Sequence, residues 1–290
     1  MMRGPEKMAV AVRQPDGEIF TEVSPVKRYA WQKIPIVRGV GSFIDSLLSG
    51  YKCLMKSAEV SMTAEEAEAE QSKFDRWLEK TFGEKATNFV MAVAAVLGGV
   101  LAIALFMVLP TFLVGLLDKA VPLGGWKTVL EGVLKIAIVV AYMALVGKMP
   151  EIDRMFRYHG AEHKTISCYE AGKELTVENI RPCSRFHPRC GTSFILIILI
   201  VSILVFSAVP WAGLGSRVAL KLICLPLVMG VSYEILKFCG RHDNWLTRAV
   251  SAPGMWLQHI TVNEPDDSMI ECAIAAVLPV LPENREDGKW

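Results

Sequence analysis

The sequence has no excess of charge of either sign: 31 Lys and Arg stand against 30 Asp and Glu, a net charge of +1. Without a basic field there is nothing to gather a polyanion, which argues against a DNA or RNA reader, and no nucleic-acid partner is expected. Cysteine is sparse and odd in number, seven residues scattered along 290, with Cys224 and Cys239 within or at the end of an apolar run. That excludes a secreted disulfide scaffold. No apolar leader opens the chain, because the first long apolar run begins some 87 residues in and the segment before it is mixed and charged; no cleavable signal is expected. Internal repeats are absent, and low complexity is confined to an Ala/Glu run.

What the chain has in abundance is apolar residues, 52%, with a positive mean hydropathy of +0.35. Charged residues are not correspondingly rare, at 21%, so the excess must lie in blocks. Four stretches suit a hydrocarbon core that needs roughly 20 helical residues: 88–117, 128–147, 192–211 and 217–238. The first is longer than one straight crossing requires, and Pro110 is expected to bend it or mark its exit. The second carries Glu131 and Lys135, whose spacing predicts an ion pair on one helix face near the outer end. Basic residues number 13 before the first span, 8 in 148–191 and 5 from Lys237 onward. The opposite loops hold only Lys119, Lys127 and, at the rim, Arg217. The positive-inside rule therefore places both termini and the central loop in the cytoplasm.

Residues 8–23 hold two β-prone runs around Gln14-Pro-Asp-Gly17, a hairpin within a small sheet. The segment from Pro35 to about Glu59 repeats apolar residues at helical spacing, with Arg38, Asp45 and Lys52 off the stripe, and predicts an amphipathic helix on the membrane or the bundle. The acidic tract 63–85 reads as a solvated helix opened by Thr63 and Glu66. After the last span, two short amphipathic helices are expected with a break near Thr261 to Pro265, the second capped by Asp266 or Asp267. The expected fold is an α-helical integral membrane protein of four transmembrane helices with a small mixed α/β cytoplasmic portion. Its divisions are 1–87, 88–147, 148–191, 192–238 and 239–290.

Three of the five histidines and three of the seven cysteines fall in the central loop. His159 and His163 lie four apart and share a helix face, and Glu162 completes His-x-x-E-His, in which two imidazoles hold a metal and the glutamate acts as general base. His187-Pro-Arg-Cys190 supplies a third imidazole and a thiolate, with Cys183 in reserve. Such a set suits zinc, with iron the other metal it accepts. Four engaged ligands would make a closed structural site; an open position would make a catalytic one. Glu234, near the cytoplasmic end of the last span, is expected at the same depth as a ligand, outer partner or proton carrier. Lys164, Arg181, Arg185 and Arg189 either give the pocket a positive field for phosphate or carboxylate or face lipid headgroups. His242 and His259 read as surface or packed residues.

RGPEKMAVAVRQPDGEI, IPIVRGVGSFIDSLLSGYKCLMKSAE, YHGAEHKTISCYEAG, RFHPRCGTSFILI, GVSYEILKF and APGMWLQHITVNEPDDSMIECAIAA together resemble the bacterial family called domain of unknown function 1385, often labelled predicted metal-dependent enzymes. The resemblance covers nearly the whole chain. It implies a multi-pass protein of the bacterial inner membrane that binds metal, with His159, Glu162, His163, Lys164, His187, Arg189, Cys190 and Glu234 at the motif positions. The expected function is a metal-dependent hydrolase with Glu162 and Glu234 catalytic and His159, His163, His187 and Cys190 as ligands. The alternative is a non-catalytic membrane factor with a structural metal site, whose partners are the bilayer and membrane-protein clients or subunits. Transport through Glu131 and Glu234 is a weaker reading, since four spans without a repeat leave little room for alternating access.

Overall fold

A computed structural model describes residues 1–27, 29–61, 84–188, 190–242 and 244–282. The acidic tract read as a solvated helix lies mostly outside these residues, as does Arg189. An antiparallel sheet in the order β1-β2-β3 opens the chain: β1 is Met2–Arg3, β2 is Lys7–Arg13 and β3 is Ile19–Pro25. β2 and β3 form the expected hairpin, with Arg13 opposite Ile19 across the turn. The first strand was not anticipated, being only two residues long.

Helix α1, Val37–Ser61, leaves Ile44, Leu47, Leu48, Tyr51, Leu54 and Met55 exposed in one helically spaced stripe. It follows Ile36, a β-branched residue with φ of 67°, a conformation such residues rarely adopt. A long apolar helix comes next in three parts: α2 (Glu84–Ile103), a π turn at Ala104–Val108, and α3 (Leu109–Ala120). The π turn lies directly before Pro110. Proline lacks an N–H and crowds the preceding turn, and widening that turn accommodates it. Next are α4, Lys127–Val146, and α5, Pro150–Glu170, followed by the single turn α6, Val177–Ile180. The remaining helices are α7 (Gly191–Ser207), α8 (Leu214–Arg241), α9 (Trp245–Thr261) and α10 (Asp267–Val277). Asp266 caps the last, accepting from the Met269 N–H at 3.0 Å.

Among the described residues, three helical segments are long and apolar enough to cross a membrane: Ala92–Ala120, Gly124–Val146 and Leu214–Arg241. The third expected span, 192–211, is shorter than predicted. α7 has 17 residues, about 25 Å of helix at ~1.5 Å per residue, because Pro210 cannot continue it. α7 is also the most enclosed of the apolar helices, with Leu196, Ile197, Val201, Ser202 and Phe206 buried. α7 runs antiparallel to α4: Thr128 bonds Trp211 at the helix's far end, Gly132 packs on Ile203, and Lys135 reaches Ser202. Cys190, at the start of α7, thus lies at the end of the bundle where α4 leads into α5.

At that end α5 and the sheet close on α10, with Ala9, Ala161, Cys168, Ile180, Ile270 and Ala273 in one buried core. Arg13 ties the sheet to α10 through the Ser268 carbonyl at 2.9 Å and Glu271 at 2.5 Å. The expected Glu131–Lys135 pair does not form. Glu131 instead meets Arg217 at 2.8 Å and Lys221, both from α8, because the side chain points into the bundle where these cations are buried.

Candidate metal centre

α5 begins with Pro150 at its first turn, where a missing N–H costs nothing, and runs unbroken past His163. The helical repeat puts His159 and His163 side by side, their rings 4.4 Å apart between centroids. Cys190 is brought to them from the loop before α7, where its sulfur caps the helix by accepting from the Thr192 N–H at 3.4 Å. One ligand atom from each of His159, His163 and Cys190 lies within 4.8 Å of the others.

The orientation of the imidazoles is set from behind. His159 Nδ1 donates to the Thr261 carbonyl at 3.0 Å, and His163 Nδ1 to the Arg185 carbonyl at 2.6 Å. With Nδ1 committed to a carbonyl, Nε2 is the atom left to face the cysteine and, on giving up its proton, to bind a metal, the arrangement by which backbone carbonyls fix histidine ligands. His159 Nε2 faces Cys190 Sγ at 3.2 Å. Burial alone would push the Cys190 thiol up, but hydrogen bonds from His159 and His163 and their charge draw it down from 9.0 to about 5. Burial likewise opposes charge on His159, but the hydrogen bond and charge of Cys190, the charge of Glu162 and the Thr261 carbonyl together outweigh it, so its pKa is raised. Two oriented imidazoles and a ready thiolate fit zinc or iron, with one coordination position left to a fourth ligand.

The other residues expected at the centre are placed differently. His187 lies with its ring 5.9 Å from that of His163, but its Nε2 pairs with Glu170 at 3.1 Å. Cys183 donates to the Asn179 carbonyl at 3.2 Å. Glu162, one turn from His159, accepts from the Met1 nitrogen at 2.6 Å and keeps 29% side-chain exposure. Glu234 does not join the cluster: it binds Arg38 Nε at 2.7 Å and the Ile36 N–H at 3.2 Å, so α1 claims it. Lys164 is buried against the Arg181 carbonyl and Glu264, while Arg181 pairs with Asp267 at 2.6 Å. These two carboxylates, contributed by the segment around α10, pair with Lys164 and Arg181 and so reduce the positive field expected there. His242 and His259 are exposed, each against a backbone carbonyl of its own helix at 3.0 Å.

One residue that matters here escaped sequence reasoning. Gln258, wholly buried on α9, grips the main chain of His187: its Oε1 accepts from the N–H at 2.9 Å and its Nε2 donates to the carbonyl at 2.8 Å. This clamp holds the stretch carrying both the Arg185 carbonyl and Cys190. The only signal in the sequence was a glutamine on the apolar side of an amphipathic helix.

The chain is thus a predominantly helical protein with membrane-length apolar helices and a two-histidine, one-cysteine cluster at one end of them. It belongs to the family described as "Protein of unknown function (DUF1385)", whose model matches residues 34–283. It is 33% identical over 287 residues to the "Uncharacterized protein YqhQ" of Bacillus subtilis (strain 168), covering 97% of this chain and 89% of that protein. No solved structure matches it.

Proposed function

We propose that this is a metal-dependent hydrolase of the bacterial inner membrane, acting at the cytoplasmic face, with His159, His163 and Cys190 holding zinc or, failing that, iron. The observation that carries this reading is that both imidazoles are fixed by backbone carbonyls, with His159 Nε2 against the Cys190 sulfur and a ligand atom of all three residues within 4.8 Å of the others. Three protein ligands rather than four favour a working site over a closed structural one. A metal held there would supply Lewis acidity for cleaving a polarised bond. The chain's own residues do the rest. Glu162, partly exposed beside His159, takes and returns the proton; the Thr261 and Arg185 carbonyls keep the imidazoles aimed; and α9 shields the thiolate. Glu234 acts at a distance, fixing the start of α1 against α8.

The membrane reading rests on the three membrane-length helices, with α7 as the fourth crossing inside them. The distribution of basic residues then places the cluster, the sheet and both termini in the cytoplasm. The exposed stripe of α1, with Trp245 and Trp256 on α9, suits helices lying in the headgroup layer, where tryptophan is favoured.

The test is metal content per chain of detergent-purified protein, alongside His159→Ala, Cys190→Ala and Glu162→Gln. About one metal per chain is expected in the wild type and in Glu162→Gln, and none in the two ligand variants, with cellular function lost in all three. Function that survives Glu162→Gln but fails in the ligand variants would make the metal structural and the protein a non-catalytic membrane factor. A folded wild type that takes up neither zinc nor iron would refute the metal reading.

A further inference from the structure

Between the last turns of α8, the first turns of α9 and the segment leading into α1 lies an open groove of about 620 Å³, a size within the roughly 300 to 1,000 Å³ of small-ligand sites. Val231, Ile235 and Phe238 of α8, Leu246 and Val250 of α9, and Ile36 line it. Its surface is almost wholly apolar, and the polar side chains at its edge are engaged elsewhere. The Glu234 carboxylate holds Arg38 and the Ile36 N–H, and the Thr247 hydroxyl donates to the His242 carbonyl at 2.9 Å. The Ile36 side of the groove is held in a strained form. Its φ of 67° is left-handed, and it fits so closely against α8 that a Cβ on Gly230 would fall 2.3 Å from Ile36 Cγ2. Backbone strain of this kind persists only where the surroundings over-determine it, and it clusters at sites that clamp ligands.

The two ends of the groove differ. Val231 lies ten residues before the end of α8 and Cys239 two, roughly 15 and 3 Å from it at ~1.5 Å per residue. The end near the helix terminus is basic. Lys237 and Arg241 follow Glu234 by three and seven residues and so continue its ridge along the groove's edge, and Arg38 and Arg241 both lie close enough to Lys237 to bear on its charge. Glu234 answers Arg38, whereas Lys237 and Arg241 have no hydrogen-bond or ion-pair partner among the described residues. Trp245, 80% exposed, stands just beyond, an aromatic of the kind favoured at the headgroup level.

We infer that this groove is a binding site for one anionic phospholipid, with an acyl chain lying along α8 from Val231 and the phosphate between Lys237 and Arg241. The apolar length asks for hydrocarbon. Two cations one turn apart at its mouth ask for an anion, and a phosphate accepts from both through charge-assisted hydrogen bonds. A protein partner would need an interface of about 1,000 Å², more than a groove of this size offers. The inference rests on the reading of α8 as membrane-spanning and is independent of the metal.

Delipidated full-length protein in a neutral detergent tests it, with phosphatidylglycerol, phosphatidylcholine of the same chains and laurate added separately. Native mass spectrometry counts the lipid bound per chain. Occupancy of the groove is read from the rate at which iodoacetamide alkylates Cys239, which lines it, with Cys183 of the central loop, likewise half-buried, as the internal reference; zinc is measured on the same samples. Phosphatidylglycerol should saturate at about one per chain and slow the alkylation of Cys239 severalfold without affecting Cys183. It should bind roughly tenfold more tightly than phosphatidylcholine, the worth of one charge-assisted hydrogen bond. Lys237→Gln with Arg241→Gln should erase that preference and leave zinc unchanged; should the pair fold poorly, Arg241→Gln alone, at an exposed helix end, should reduce it. Leu246→Trp, at a half-exposed position that admits a larger side chain, should fill the groove and abolish the tight site. The two phospholipids bound equally well overturns the inference, as does a tight site that survives Leu246→Trp, or tight binding of laurate without phosphatidylglycerol. Recovery of the chain in the soluble fraction after alkaline extraction would refute it through the membrane reading, leaving the zinc result standing.

Discussion

Gln258→Leu removes one side chain that touches none of the proposed ligands and should nevertheless disable the proposed metal centre. Leucine fills a similar volume, so the change isolates the hydrogen bonds. The amide satisfies both main-chain groups of His187 and also donates to Ser193 Oγ at 3.3 Å. Gln258 is wholly buried and His187 nearly so, so water cannot replace it without the site opening. Two buried backbone groups left unpaired at about 1–3 kcal/mol each cost about 2–6 kcal/mol in all. For a chain of this size that is a fall in melting temperature on the order of 10 °C. The metal should feel it too, since Arg185 and Cys190 flank His187 and outer partners of metal ligands are worth about ten- to a hundredfold in affinity. Zinc affinity by competition with a chromophoric chelator, with melting followed by circular dichroism on metal-free protein, measures both effects. A variant that melts and binds zinc like wild type would refute the clamp. One that melts lower but keeps its zinc affinity would show that the clamp serves only the fold.

Three further outcomes are expected. The Cys190 thiol, with its pKa lowered to about 5 in the folded protein against 9.0 ordinarily, should be thiolate throughout the range between those values. The 240 nm absorbance should persist from pH 9 through pH 7 and be lost as pH falls through about 5, while the stability the shift contributes is full above about pH 9, shrinks steadily across that window and is gone below about 5; an absorbance that Cys190→Ser does not remove, or that titrates near 9, would contradict the arrangement. Gly254→Ala should destabilise by about 1–3 kcal/mol, because a Cβ there would fall 2.7 Å from the Ser193 Cα on α7; a neutral effect in chemical denaturation would mean that α7 and α9 pack less closely. Glu131→Ala strips Arg217 and Lys221 of their shared carboxylate and should cost about 3–5 kcal/mol, seen as reduced membrane yield and melting temperature, and a variant as stable as wild type would argue against that buried pairing.

The local elements were legible because their causes are local. Alternation around a turn makes the hairpin, an unbroken apolar run makes a long helix, Asp266 caps the helix that starts at the next residue, and a spacing of four puts His159 and His163 on one face. The gathering of Cys190 to them was foreseen only as chemistry, from the rarity of histidine and cysteine and their concentration in one loop. Tertiary structure decided which partners each group met. Thr261, whose carbonyl holds His159, is 102 residues away; Gln258 is 71 from His187; Arg217 is 86 from Glu131; and Arg38 is 196 from Glu234. Nothing in the spacing of such residues encodes their meeting, because each contact depends on how whole helices cross. The sequence by itself determined most of the segments that are helix or strand and narrowed the candidate site to one loop, since periodicity and residue type act over a few neighbours. Only the packed bundle decided that Glu131 answers to α8 rather than to Lys135 one turn away, for a buried carboxylate is satisfied by the cations that burial brings to it.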